Sequence, residues 1–363
     1  MRKSNFELLR IVAMLMVTAH HLVLHNATGV WSMEFGPARL FISVFMLGMG
    51  KAGVLVFFGI TAWFLCDRGV TYRSVLRKIW VMERELLFYS LGLYAASRAF
   101  LPGLAQDGLG WQSVTPLLMN LWWYPTTYAV FLLVVPALLR GLRSLGREGH
   151  GSLVVVVFLA WGLLQGLRPI NVPTNDDIVV FCALFTVISY YRWYMKPLSA
   201  RAGAAMVLAG VLAIAYGFVW YYLDDPTNAG MQGYLSDEWK LPAVLVALGL
   251  LVGFSHLSFS SKWVNCVAAS SFAVYLISEY PTIRTLLWKV AFDMGPVYVT
   301  PFAVPIACAV VAGVFLALVT IDAVRRALFS LLLPRTGALF DRLWEAAGPV
   351  RNRVSEEMRS LCK

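Results

Sequence analysis

The sequence predicts an all-α protein: a polytopic integral membrane bundle of about ten transmembrane helices with both termini cytoplasmic. The first observation behind this is composition. Hydrophobic residues make up 59% of the 363 and charged residues only 14%, with mean hydropathy +0.70, against roughly 45–50% and 25% in soluble domains. The second is spacing: apolar residues fall in blocks of roughly 17 to 25 separated by short polar stretches, the length at which a helix spans a bilayer. The third is the placement of the net charge of +10. In a soluble chain that excess would point to nucleic acid; here the cations gather on alternate loops, so no nucleic-acid partner is expected.

In order, candidate spans lie near residues 8–25, 40–66, 79–98, 114–139, 152–167, 178–194, 203–222, 240–257, 267–290 and 301–333. The first resembles a signal peptide in having Arg2 and Lys3 ahead of an apolar run. Glu7, Arg10, His20 and His21 interrupt that run and no small-residue cleavage site follows, so a retained helix is expected. With the N-terminus inside, the loops after the second, fourth, sixth and eighth spans receive Arg68, Arg73, Arg77, Lys78, Arg140, Arg143, Arg147, Arg192, Lys196, Arg201 and Lys262. The opposite loops receive Arg39, Arg98, Arg168 and Lys240 and are otherwise acidic or neutral, with Glu34, Asp107, Asp176, Asp177, Asp224, Asp225, Asp237, Glu238 and Asp293. This alternation follows the positive-inside rule. Pro116, Pro125 and Pro136 punctuate the fourth span and predict a kinked or broken helix.

These spans make one transmembrane domain, residues 1–333, followed by a cytoplasmic amphipathic tail, residues 334–363. In the tail Leu339, Leu343, Ala347, Val350, Val354, Met358 and Leu361 recur at helical spacing while Arg342, Arg351, Arg353 and Arg359 occupy the other face. That is the pattern of a helix lying on the inner leaflet, so membrane lipid is an expected partner. No internal repeat is evident. Cys66, Cys182, Cys266, Cys308 and Cys362 have no paired spacing, so neither a zinc site nor a disulfide framework is expected, and no metal.

Ionisable groups inside spans are costly and mark function by default. The first helix carries the sharpest set, in NFELLRIVAMLMVTAHH. Arg10 and His21 are eleven residues apart, which at about 100° per residue returns to within roughly 20° of one direction and rises roughly 16 Å. Met14 and Val17 complete that stripe, while His20 points about 100° away. A cation near the cytoplasmic mouth and an imidazole near or beyond mid-membrane therefore share one wall. An imidazole kept neutral by its surroundings is suited to general-base work. Glu83 and Glu85, flanking Arg84, read as an interfacial ion pair. The aromatics at span ends, Trp122 to Tyr124 among them, read as an interfacial belt.

An arginine, ten residues and a histidine within an apolar first helix, Asn5 to His21, resemble the signature of the membrane acyltransferase-3 family. GVLVFFGITAWFLC (53–66), WWYPTTYAVFLLVVPAL (122–138) and SSFAVYLISEYPTIRTLLW (270–288) are similar to further helices of that family. The resemblance implies about ten helices in a bacterial cytoplasmic membrane and transfer of an acyl group, most often acetyl from acetyl-CoA, to a hydroxyl of a cell-envelope carbohydrate or lipid-linked glycan. It implies that His21 is the catalytic base and Arg10 its partner, and that Arg73, Arg77, Lys78 and Arg84 resemble the positive start of the third helix, where phosphates of CoA would be met. The sequence departs from the family's pattern at Ser278, where many members have histidine, with Glu279 next; Thr61 and Ala62 stand where serine and glycine are usual. Arg284 matches a family arginine and would meet an acceptor or pair with Glu279.

Two other readings stay open at this stage. His21 and Arg10 would serve equally as the relay of a secondary transporter. The missing late histidine also fits a catalytically silent membrane assembly partner.

Overall fold

The computed structural model describes residues 3–163, 177–224, 240–332 and 336–349. The fold is all-α, 82% helical and without a strand among the described residues. In chain order the helices are α1 (Asn5–His25), α2 (Ala27–Ser32), α3 (Pro37–Phe41), α4 (Met49–Leu65), α5 (Tyr72–Phe100), α6 (Leu109–Val114), α7 (Trp123–Ser144), α8 (Gly146–Val157) and α9 (Asp177–Tyr194). They continue with α10 (Ala200–Asp224), α11 (Leu241–Ser255), α12 (Lys262–Ala268), α13 (Ser271–Ser278), α14 (Pro281–Thr285), α15 (Gly295–Tyr298), α16 (Ala303–Leu332) and α17 (Thr336–Ala346). A π-helical turn, Ile42–Gly48, joins α3 to α4 in one rod, and others follow α8 (Phe158–Leu163) and α14 (Leu286–Ala291).

Among the described residues five helices are long and apolar enough to cross a membrane: α1, the Pro37–Leu65 rod, α7, the Ala200–Trp220 part of α10, and the Ala303–Ser330 part of α16. Leu208, Leu212, Leu316, Ile321, Val324 and Leu328 are exposed on α10 and α16. Apolar side chains turned outward along whole helices are what a bilayer solvates and water does not.

Two of the predicted spans differ from the structure. The fourth begins at Trp123, not residue 114. Pro116 lies in a turn and Asn120 adopts φ 50°, so the chain from α6 to α7 is a loop; Pro125 sits in the first turn of α7 and Pro136 in its interior. The ninth, predicted as one helix over 267–290, is broken into α12, α13, α14 and a π turn. Pro281 explains the central break: it lacks an N–H for the helix ladder and drives the preceding Tyr280 into extended backbone, φ −64°, ψ 128°. Of the amphipathic tail the described part is α17; Val350, Arg351, Arg353, Val354, Met358, Arg359, Leu361 and Cys362 lie outside the described residues.

α1 is the axis of the bundle and packs tightly on α4. The close approach needs residues without side chains: a Cβ on Gly50 would sit 2.1 Å from the Cβ of His20, and one on Gly53 would sit 2.8 Å from the Ala13 carbonyl oxygen. α10 and α11 meet the same way through Gly203 and Gly249, whose added Cβ atoms would lie 2.8 and 2.6 Å from each other's carbonyls. Behind α4 an aromatic core ties α7 and α9 to it: Phe58 stacks on Phe181 at 4.0 Å and meets Phe131 edge-on at 4.8 Å. α5 and α16 are clamped by charge. Fully buried Asp322 accepts hydrogen bonds from the Tyr89 hydroxyl (2.6 Å) and Arg325 Nε (2.7 Å) and lies 3.1 Å from Arg326 Nε; Arg325 reaches Glu85 at 2.9 Å. Glu85 is thus paired across helices with Arg325.

Candidate active site

The site lies on α1. Leu9, Ala13 and Leu22 are wholly buried, and the helix is surrounded by α4, α11, α13 and α16, so polar groups on it are held among packed walls. His20 and His21 diverge. His20 turns to the Ile42–Gly48 turn, where its Nδ1 lies 2.7 Å from the Leu47 carbonyl oxygen; Nδ1 is therefore the protonated nitrogen and His20 is spent on a structural bond. His21 turns to α13, and its Nδ1 stands 3.2 Å from Glu279 Oε1. The angle falls short of a hydrogen bond, but the pair is largely shielded, with side-chain exposures of 12% and 10%.

Glu279 is the residue that sequence reasoning left out of the site. It follows the last turn of α13 and stands two residues before Pro281, so the break that Pro281 imposes sets its direction. Its other oxygen lies 3.4 Å from His25 Nε2 and 3.9 Å from Arg284. The carboxylate thus gathers two imidazoles from successive turns of α1 and a guanidinium from α14. A carboxylate beside Nδ1 favours a proton on that nitrogen by its charge, which leaves Nε2 as the more basic one. Two features of the sequence marked it: an acid inside an apolar segment, and a proline two residues on.

Arg10 lies toward the other end of α1, hydrogen-bonded to Glu7 at 2.5 Å. It lines a cavity of about 850 Å³ framed by α1, α4, α9 and α11, together with Lys3, Arg68, Lys78, Arg192 and His256. A second cavity, about 990 Å³, is lined by Arg73, Arg77, Lys78, Phe272 and Asp341 and shares Thr61, Lys78 and Tyr128 with the first. It shares Phe57, Tyr124 and Phe272 as a common wall with a small pocket of about 30 Å³ formed by Met14, Val17, His21, Trp123 and Tyr275. Met14, Val17 and His21 therefore share one wall, and cavities with common wall residues are arrayed between the basic end of the bundle and His21. Of the four cations expected to meet phosphates, the structure brings Arg73, Arg77 and Lys78 together; Arg84 lines neither cavity. Asp341 of α17 pairs with Arg73 at 3.0 Å and Arg77 at 3.4 Å.

Among the described residues no group of three or more His, Cys, Asp or Glu is placed to hold a metal ion. A histidine backed by a carboxylate, at the head of a basic cavity inside a multi-pass membrane bundle, is an arrangement able to take a proton from a hydroxyl during group transfer. The chain belongs to the acyltransferase-3 family, whose description is an acyltransferase domain and which matches residues 3–322. It is thus a membrane enzyme that transfers acyl groups. No curated protein and no solved structure matches it.

Proposed function

We propose that the protein moves an acyl group, acetyl in the simplest case, from cytoplasmic acyl-CoA to a hydroxyl of a cell-envelope carbohydrate or lipid-linked glycan in a bacterial cell membrane. The reading takes ten crossings and cytoplasmic termini, so that the basic cavities face the cytoplasm. The observation that carries it is the His21–Glu279 pair, 3.2 Å apart, at the inner end of an array of cavities with common wall residues whose outer rim is basic.

In this mechanism the donor's phosphates meet the cations at the rim, Lys78 and its neighbours, and its thioester arm passes Tyr128 and Tyr124 to His21. The acceptor hydroxyl oxygen attacks the thioester carbon while His21 Nε2 takes its proton. The tetrahedral intermediate collapses, the C–S bond breaks, and the imidazolium returns the proton to the leaving thiolate. The products are the ester and free CoA. Glu279 holds the imidazole and balances its transient charge. Arg10 stays charged throughout and serves the donor's route.

The test is acyl-CoA turnover in inverted membrane vesicles, following CoA release and labelled acetyl in extractable glycan or glycolipid. His21→Ala is expected to lower turnover by about 10²–10⁴-fold, the range for loss of a general base, and His20→Ala to leave the chemical step in place. Turnover by His21→Ala at the parental rate refutes the mechanism. Solute flux without CoA release gives the protein to transport.

A further inference from the structure

The two cavities at the basic end differ in how their cations are compensated. In the α5 cavity Arg73 and Arg77 already share the Asp341 carboxylate. In the α1 cavity Arg10 is held by Glu7 and Arg192 by Asp67. Among the described residues, however, no carboxylate pairs with Lys3, Arg68 or Lys78, three cations on the rim of the same 850 Å³ space. Cations gathered on one rim without a counter-ion attract an anion, and phosphate oxygens satisfy such groups by charge-assisted hydrogen bonds. The wall beside them is aromatic: Phe6 packs against Trp63 at 5.6 Å and Phe64 at 5.1 Å, and Phe64 is 41% exposed. A flat heterocycle stacks on such a surface.

We propose that the α1 cavity, and not the α5 arginines, takes the nucleotide end of the acyl donor: an adenosine with a 3′-phosphate and a diphosphate. Lys3, Arg68 and Lys78 meet the phosphates and the Phe64 face takes the base. Lys78, shared by the two cavities, stands where the nucleotide ends and the thioester arm turns past Tyr128 toward His21. This assignment rests on the acyl-CoA reading above and names its binding site. It also gives Asp341 a physical role, keeping Arg73 and Arg77 from competing for the same phosphates.

The probe is adenosine 3′,5′-bisphosphate, titrated by calorimetry against the full chain in detergent. Arg68→Ala and Lys78→Ala are each expected to weaken it about tenfold or more, the cost of one charge-assisted phosphate contact. Arg68→Glu should weaken it further, and Lys262→Ala, a cation at the start of α12, should not change it. Arg73→Ala should cost less than Arg68→Ala. In turnover, Arg68→Ala should raise KM for acetyl-CoA and leave KM for acetyl-pantetheine, which lacks the nucleotide, at the parental value. The reverse ranking of Arg73 and Arg68, no binding of the bisphosphate to the parent, or equal KM changes for the two donors overturns the assignment. If the parent consumes acetyl-CoA while the Arg68 and Lys78 variants behave like it, the site is wrong and the acyl-CoA reading stands. If the bisphosphate binds as described but no acyl-CoA is consumed, the site stands and the acyl-CoA reading fails.

Discussion

Glu279→Gln isolates the charge behind His21 from its shape. The amide keeps an oxygen for the Nδ1 proton, so the tautomer survives while the negative charge is lost. At 3.2 Å and an effective dielectric of about 20, a full imidazolium gains about 5 kcal/mol from the carboxylate. A transition state with roughly half the proton transferred gains about 2.5 kcal/mol, or roughly 70-fold in kcat. His25 at 3.4 Å and Arg284 at 3.9 Å draw on the same carboxylate, so the expected loss is about 30- to 70-fold with KM for acetyl-CoA unchanged. The assay is steady-state CoA release in inverted vesicles, with the parent, Glu279→Gln, His21→Ala and the double variant at equal protein level. If Glu279 acts through His21, the double variant is no slower than His21→Ala. A Glu279→Gln enzyme within twofold of the parent, or a double variant in which the two losses multiply, refutes the pairing.

Three further outcomes follow from packing and charge. Gly50→Ala puts a Cβ against the Cβ of His20, where neither backbone gives way; it should lower the melting temperature in detergent by an overpacking cost of about 1–3 kcal/mol or more, whereas Gly92→Ala, with nothing within 4 Å, should be neutral or stabilising. Asp322→Ala leaves Arg325 and Arg326 facing a buried space without their shared acceptor; a loss of about 3–5 kcal/mol is expected, read as heat stability or as failure to accumulate, and Asp322→Asn should recover part of it. Pro281→Ala restores a backbone N–H and lets α13 run on; kcat should fall while the quantity of folded protein is kept, because the displaced residue is Glu279.

What the sequence disclosed was whatever depends on local period. The stripe of Arg10, Met14, Val17 and His21 follows from 3.6 residues per turn, and the divergence of His20 from His21 follows from the same number. The predicted spans agree with helices over most of their described residues, apart from the loop before Trp123 and the breaks after residue 268, and the end of the 152–167 span lies outside the described residues; among the described residues five helices are long and apolar enough to cross singly. What stayed hidden depends on contacts between distant residues. His21 and Glu279 belong to opposite ends of the chain, and no periodicity within either segment connects them. Yet the break that aims Glu279 was marked by Pro281, and the α5–α16 clamp was marked by Asp322, Arg325 and Arg326 inside an apolar run; hydropathy averaged over a window erased both. The tie between Asp341 and Arg73 was illegible for another reason: the tail's amphipathic pattern says which face is apolar, not which helix it meets.

The aromatic collar around His21 bears on the membrane itself. A cavity open to one compartment that reaches deep into a bilayer is most of a channel, and protons cross wherever water forms an unbroken file. The pocket at His21 encloses about 30 Å³, room for about two waters, between the rings of Phe57, Trp123, Tyr124, Phe272 and Tyr275. So short a file conducts nothing by itself. On the reading proposed above, the rings that narrow the way to the histidine also limit the water that could carry protons past it, and replacing Phe272 with alanine is expected to raise proton leak across vesicles that contain the protein.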